Sequence, residues 1–540
     1  MSEEKTMSRI TINAPEAPGH DTVLSAQALD FVAGLHENFA DRLGGLMAKR
    51  GSRSAEMNDG TLPRFTPDYA AVRADRTWQV AGSQDAPGLE DRRVELAGPV
   101  TEPEVVRALN SQAKVWIADF EDSTSPTWAN ILGGQHALYL AVRDQLPGVS
   151  NRNQPTIGMR PRGWHLPEKH LMVTGDDGEQ TPAIGALVDF GLYFFHNAKT
   201  LIDSGSGPYF YLPKLESSLE ARLWNQIFVW AQDELGIPQG TIRATVHIET
   251  IAAAFHMEEI LWELRDHCAG LQAAGWDYLF SVVKNLRHST EFILPDRDRL
   301  TNSLPLMKAF TDRLVWTCHR RGAHAIGTMT NLMTSHPDEG FVAAEFARMR
   351  EDKAREAWQG FDGTWVADPG LVPAALAVYD AALGEKAHQL ENMRPDVRVC
   401  AENLLDITGL EPVVTEEGVR VNIRVAIGYL NEWLGGNGNV ALENLLEDVS
   451  TAEISRSQIW QWIHHEVTLD NGQPVTRQLV ERYLGEELAL MERTPADHVT
   501  EAVEIFRASA LTDDFPEFLT VPAYTEHLVD RVAKAAVSAA

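Results

Sequence analysis

Acidic side chains stand directly behind short apolar runs, the place where a strand gives way to a loop. KVWIADF (114–120) leads into Asp119, Glu121 and Asp122; ATVHIE (244–249) ends in Glu249; Trp276 and Asp277 open the segment before YLFSVV (278–283). Asp277 lies about one strand-helix-strand unit of ~30 residues beyond Glu249, which puts the two carboxylates on neighbouring positions of a repeating β/α fold. Adjacent carboxylates need a counter-cation. An all-oxygen site of this kind suits Mg²⁺, which takes one or two protein carboxylates and keeps water or substrate at its other positions. On spacing alone, the same acids serve equally well as helix N-caps or partners of arginines.

TIGMR (156–160) ends in Arg160 and runs on through Arg162 and His165. Guanidinium is a permanent cation with a fixed fork of donors, so this run reads either as an anion or oxyanion site or as a surface ion pair. Other motifs carry less. GGNGN (435–439) lacks the Walker lysine and the Rossmann spacing and reads as a turn. His464, His465 and Glu466 are consecutive on a predicted helix and lack the i, i+4 spacing of a zinc pair. Trp460 and Trp462 read as packing aromatics, and Glu447 with Asp448 as a helix terminus or solvated face.

The elements that must position these groups are legible as texture. Residues 1–95 carry helical-period segments such as ALDFVAGLHENFADRLGGLMAKR (28–50), read as a helical N-terminal segment. Over 96–395 eight short apolar runs recur between amphipathic stretches: 93–100, 114–120, 156–160, 209–212, 244–249, 278–283, 324–329 and 364–367. Eight is the number a (β/α)8 barrel of the TIM type requires, with chemistry at the C-terminal ends of its strands. FGLYFFH (190–196) is assigned to a helix. From 396 to 540 helical patterns dominate and predict a separate α-helical domain.

Composition bounds the class. The chain has 540 residues, 44% of them hydrophobic, and a formal net charge of −30. This charge disfavours nucleic acid and anionic lipid, which need a basic face, and a polyanionic ligand would require a locally basic pocket. Cys268, Cys318 and Cys400 are few, odd in number and widely spaced, which fits a reducing cytoplasm and neither a disulfide framework nor a zinc knuckle. No signal-peptide layout, membrane-spanning stretch or C-terminal Ser-Lys-Leu address is expected.

IADFEDS (117–123), RPRGWHLPEKH (160–170), YFYLPKLES (209–217), HIET (247–250), GWDYLFS (275–281), GTWVADPG (363–370) and LLEDVSTAEISRSQIWQWIHH (445–465) together resemble the malate synthase family, isoform A type. The resemblance runs from about residue 28 nearly to the C-terminus. It implies a β/α barrel closed over by a C-terminal helical domain, and condensation of acetyl-CoA with glyoxylate to give malate and CoA, a step of the glyoxylate bypass. It further implies that Glu249 and Asp277 ligate Mg²⁺, with Mn²⁺ as a chemically acceptable substitute. Arg160 is implied to contact glyoxylate and stabilise the enolate, and Asp448 to remove a methyl proton from acetyl-CoA. Asp119 and Glu121 would line the metal and its waters, and the backbone around Trp276 and Asp277 would hold the glyoxylate carboxylate. Trp365 and Pro369 would line the CoA pocket, with Lys214 and Lys284 as candidates for its phosphates.

The sequence departs from the family pattern at GTMTNLMTS (327–335) and at Phe361 and Asp368, near where the family approaches CoA. A malyl-CoA or citramalyl-CoA lyase resembles the same barrel, but lacks the long C-terminal segment that carries Asp448. A catalytically inactive acyl-CoA-binding relative would have lost the base or a metal ligand, and all four of Asp448, Glu249, Asp277 and Arg160 are present.

Overall fold

A computed structural model of the chain describes residues 9–334, 339–408, 410 and 412–529. The targeting-signal readings at 1–8 and 537–540, and Ser335 of the 327–335 segment, lie outside the described residues.

Eight parallel strands close into a barrel: Val94–Gly98, Val115–Asp119, Thr156–Arg160, Tyr209–Leu212, Arg243–Ile248, Cys268–Ala273, His324–Thr330 and Gly363–Val366. Each pairs with its successor in sequence, and the eighth closes on the first through Trp365 opposite Glu95. Side chains alternate between two environments, as a pleated strand requires. Ala97, Val115, Ile117, Tyr211, Ile326 and Trp365 fill the barrel interior. Leu96, Trp116, Ala118 and Val246 face the surrounding helices in the main core.

Seven of the eight predicted strands correspond to observed ones; the sixth does not. YLFSVV lies within the helix Gly275–Leu286, and the strand that precedes it is Cys268–Ala273. A run of six residues, five of them apolar, cannot be assigned to strand or helix by periodicity when the element is buried on every side, and every residue of that helix from Asp277 to Leu286 is buried. The true strand, CAGLQA, carries small residues because space is short there: a Cβ on Gly270 would come within 2.4 Å of the His324 carbonyl oxygen. FGLYFFH falls in the helix Gly185–Asp203, as read.

The N-terminal segment is dominated by the helix Ala26–Asn58, capped by Ser25, whose side chain accepts from Ala28 N at 3.3 Å. Its apolar stripe of Leu29, Val32, Phe39 and Leu43 is buried. It is not purely helical, because Ile10–Ile12 pairs antiparallel with Pro167–Thr174, which pairs in turn with Gln180–Ile184. Among the described residues from Glu416 to Val529 the regular structure is helical apart from one small hairpin, Val440–Leu442 with Leu445–Glu447. Its own core gathers Ile423, Trp433, Ile459, Trp462 and Phe506. The helix Val449–His464 is shared between this core and the barrel side, and is buried along its whole length from Val449 to Trp462. Among the described residues no helix is long and apolar enough to cross a membrane.

Candidate active site

The strand ends bring the predicted acids together. Asp119 and Arg160 are the last residues of the second and third strands and stand opposite each other in register. Asp119 organises the loop behind it: Oδ1 accepts from Glu121 N at 3.0 Å and Asp122 N at 3.3 Å, and Oδ2 from Ser123 N at 3.1 Å and Ser123 Oγ at 2.7 Å. This folds Asp122 back toward the barrel axis. Arg160 then donates to Asp119 Oδ2 at 3.3 Å, to Glu249 Oε2 at 3.4 Å, and to Asp122.

Glu249 follows the fifth strand, and Asp277 sits in the first turn of the helix after the sixth. Carboxylate oxygens of Asp122, Glu249 and Asp277 lie within 4.8 Å of one another, all three residues buried. Lys214, behind the fourth strand, puts its ammonium among them: 3.1 Å from both Asp122 oxygens, 3.2 Å from Glu249 Oε2 and 2.6 Å from Asp277 Oδ1. The Lys214 backbone has φ 55, an unusual conformation for a side-chain-bearing residue. It is held there by its N–H to Glu249 and by Arg50 of the N-terminal helix, which donates to the Lys214 carbonyl at 2.9 Å.

The sequence points to Glu249 and Asp277 for the metal and shows Asp122 only within an acidic run. Its position was set by the Asx-type turn at Asp119, and D-x-x-D in a strand-terminal loop was the signal available. Lys214, a candidate for the CoA phosphates, has its ammonium among the acidic group. Lys284 is likewise committed, with Glu216 at 3.3 Å and the Phe518 ring at 4.4 Å.

Carboxyls outnumber cations, and the titration behaviour follows. Burial opposes ionisation of Asp122, but Arg160 and Lys214 outweigh it and hold that carboxyl below the usual range. Burial, with the Asp122 and Glu249 charges against Lys214 alone, pushes Asp277 well up. Glu121 accepts from Gly163 N, borders a small hollow with Lys214 and Asp277, and is pushed by burial and Asp122 up to about 8. Its Oε1 lies 3.7 Å from His165 Nε2, and burial keeps that ring neutral. A buried, all-oxygen cluster with excess negative charge is a donor set for a hard divalent cation.

Asp448 reaches the same cavity from the other side. The hairpin delivers it as N-cap of the helix Val449–His464, where Oδ1 accepts from Ser450 N at 3.0 Å and Ser450 Oγ at 2.6 Å within a capping box. The next residue ties it to the barrel: Val449 N donates to the Asp122 carbonyl at 3.3 Å. Burial, then the charges of Asp122, Asp277 and Asp119, raise Asp448 to about 7.

Between Asp448 and the triad lies a cavity of about 270 Å³ whose walls include Asp122, Arg160, His247, Trp276, Asp277 and Asp448. Arg160 Nε and both His247 ring nitrogens are buried with no protein partner, so the cavity presents free hydrogen-bonding capacity to a polar ligand. Trp365 also borders it, with its indole N–H given to Glu95 at 2.8 Å. Pro369 borders a separate hollow with Ala97 and Trp116. Asp368 caps the turn there, accepting from Gly370 N at 2.7 Å and Thr334 Oγ1 at 3.2 Å.

The chain is similar to known proteins over nearly its full length. The family models described as malate synthase N-terminal domain, TIM barrel domain and C-terminal match residues 9–70, 156–407 and 413–527. It is 51% identical to a malate synthase of Streptomyces clavuligerus over 532 residues, covering 95% of this chain and 97% of that one. It is 46% identical to a malate synthase of Myxococcus xanthus over 94% of each chain. With malate synthase A of Escherichia coli it shares 41% identity, over 97% of this chain and 99% of the relative. On this sequence likeness, with the closed eight-stranded barrel and its helical additions, the chain belongs to the malate synthase family, enzymes that make malate from acetyl-CoA and glyoxylate.

Proposed function

We propose that this chain condenses acetyl-CoA with glyoxylate in the cavity between the barrel mouth and the C-terminal helices, with Asp448 as the base. The observation that carries the reading is the meeting of Asp448, raised to about 7, with Arg160, Asp122 and Asp277 around one cavity, Asp122 and Asp277 being grouped there with the Glu249 carboxylate. Asp122, Glu249 and Asp277 would hold Mg²⁺, or Mn²⁺ with its similar taste for oxygen. When bound, such an ion supplies Lewis-acid polarisation of an α-oxo group.

The chain's own residues do the rest. A thioester methyl is a very weak acid, so its deprotonation needs a base poised near the working pH and a cation where the enolate charge develops. Asp448 accepts the methyl proton. Arg160, whose Nε carries no protein partner, donates to the developing oxyanion. The carbanion attacks the glyoxylate aldehyde, and hydrolysis of the resulting thioester releases malate and CoA. The barrel wall and the helix Val449–His464 keep bulk water from the enolate. Trp276 and Asp277, at the N-terminus of their helix, offer backbone N–H groups to the glyoxylate carboxylate. All three cysteines are free thiols, which accords with a reducing, cytoplasmic setting.

Exchanging Asp448 for Asn tests the base. Asn caps a helix as well as Asp does, so the fold is kept while the proton acceptor is lost. Thiol release from acetyl-CoA plus glyoxylate should fall at least ~100-fold, with Mg²⁺ binding unchanged by calorimetry. Near-normal turnover would remove Asp448 from the role. Cleavage of malyl-CoA by the parent without free thiol would replace the synthase reading by a lyase one.

A further inference from the structure

The residue preceding the base is a second buried carboxylate, and it is held from the barrel. Glu447 is fully buried and both of its carboxylate oxygens accept from Arg297 Nη2, at 2.8 and 2.9 Å. The same guanidinium donates to Ser455 Oγ at 3.2 Å and lies over the Trp276 ring, 5.1 Å from its centroid. Arg297 thus touches the strand that presents Asp448, the helix that Asp448 caps, and the residue next to Asp277.

Arg297 is itself fixed. It opens a short 3-10 turn, Arg297–Arg299, in the loop after the helix Gly275–Leu286. That loop is stitched to the C-terminal helices. Gln458 Nε2 donates to Pro295 O at 2.6 Å, Trp462 Nε1 to Leu294 O at 2.8 Å, and Gln461 Nε2 to Phe292 O at 2.9 Å. Asp296 accepts from Thr415 Oγ1 at 2.7 Å.

We infer that Arg297 is a positioning residue for the proposed base: by clamping Glu447 and stacking on Trp276 it sets the distance between Asp448 and the substrate held at the carboxylate triad. The inference rests on the reading of Asp448 as base. A planar guanidinium that donates from Nη2 to Glu447 and from Nη1 to Ser455 while lying over the Trp276 ring has a geometry that lysine cannot reproduce. A misplacement of about 1 Å at a reacting centre is enough to cost on the order of 100-fold in rate.

The test uses the full chain with Mg²⁺ and compares Arg297→Lys, Arg297→Met, Glu447→Gln and Arg297→Met/Glu447→Gln with the parent and with Asp448→Asn. Arg297→Lys should lower kcat by roughly 10- to 100-fold, leaving KM for glyoxylate and Mg²⁺ affinity by calorimetry within about twofold. The kinetic isotope effect with methyl-deuterated acetyl-CoA should rise, because proton abstraction becomes slower relative to the later steps. A purely structural defect would not raise it. The isosteric Glu447→Gln should show the same pattern if an arginine variant is too unstable to assay, and the double variant should be no worse than the worse single, as for two members of one contact. Unchanged kcat in both Arg297→Lys and Glu447→Gln, loss of Mg²⁺ or glyoxylate binding in step with kcat, or additive effects in the double variant each overturn the inference. If Asp448→Asn is inactive, that failure concerns Arg297 alone; an active Asp448→Asn brings down the base assignment itself.

Discussion

At the scale of single residues, the site is a problem in charge. Asp448 raised to about 7 by burial and by neighbouring carboxylates is a base only when ionised. Turnover at saturating substrate should therefore be lost as pH falls through about 7, tenfold per unit, and level off above it. A rate flat down to pH 5 would contradict this. Lys214 is the other lever, since its ammonium offsets three buried carboxylates. Removing one partner of a buried ionic group leaves uncompensated charge and costs about 3–5 kcal/mol. Lys214→Met should thus melt several degrees below the parent in chelator, and added Mg²⁺ should raise its Tm by more than it raises the parent's. Equal melting temperatures in chelator would show that Lys214 carries no such load. Glu249 and Arg160 could be picked from the sequence because each ends or follows an apolar run, and Asp277 because it lies about one strand-helix-strand unit beyond Glu249. Asp122 and Lys214 could not, since one depends on a turn made by Asp119 and the other on a left-handed backbone held by Arg50.

At the scale of elements, a loop read as a plain turn decides how closely two parts of the chain approach. Gly438 of GGNGN faces the loop behind the second strand, and a Cβ there would come within 2.4 Å of Ser125 N and 2.6 Å of Ser123 O. Those neighbours are backbone and cannot rotate aside. Asn130 Nδ2 also donates to Gly436 O at 2.7 Å, and Ser125 Oγ to Trp433 O at 2.7 Å. Gly438→Ala should therefore lift the C-terminal helices off the barrel and lower kcat about tenfold or more while Mg²⁺ affinity persists. Parent-like turnover would show that the contact is slack. The sixth strand shows the limit of texture. CAGLQA is poor in branched residues because its neighbours crowd it, and YLFSVV is rich in apolar ones because a whole helix is sandwiched. Pattern reports burial, and burial is common to both.

At the scale of the molecule, the helix Val449–His464 belongs to two cores at once. Ile454 packs in the barrel-side cluster, whereas Ala452, Ile459 and Trp462 pack in the C-terminal one. Its polar residues are spent across the boundary: Gln458 Nε2 donates to Pro295 O at 2.6 Å, and Gln461 Nε2 to Phe292 O at 2.9 Å. An interface this buried couples the stability of its two sides, so calorimetry should give one cooperative transition, whereas weakly docked domains would melt separately. Two resolved transitions would contradict the shared-helix account. By itself, the sequence determined the class of fold, through recurring apolar runs of which seven are barrel strands, and the family, through motifs that keep their order along the chain. Both are properties of local pattern and order, which a linear chain records directly. Only the tertiary structure decided that Asp122 joins Glu249 and Asp277, that Lys214 sits among them, and that Asp448 faces them with its carboxyl raised and its neighbour Glu447 clamped by Arg297. Those facts depend on distances of a few ångströms between residues as far apart in the chain as Asp122 and Asp448, and on a low-dielectric setting that exists only once the helices have closed on the barrel.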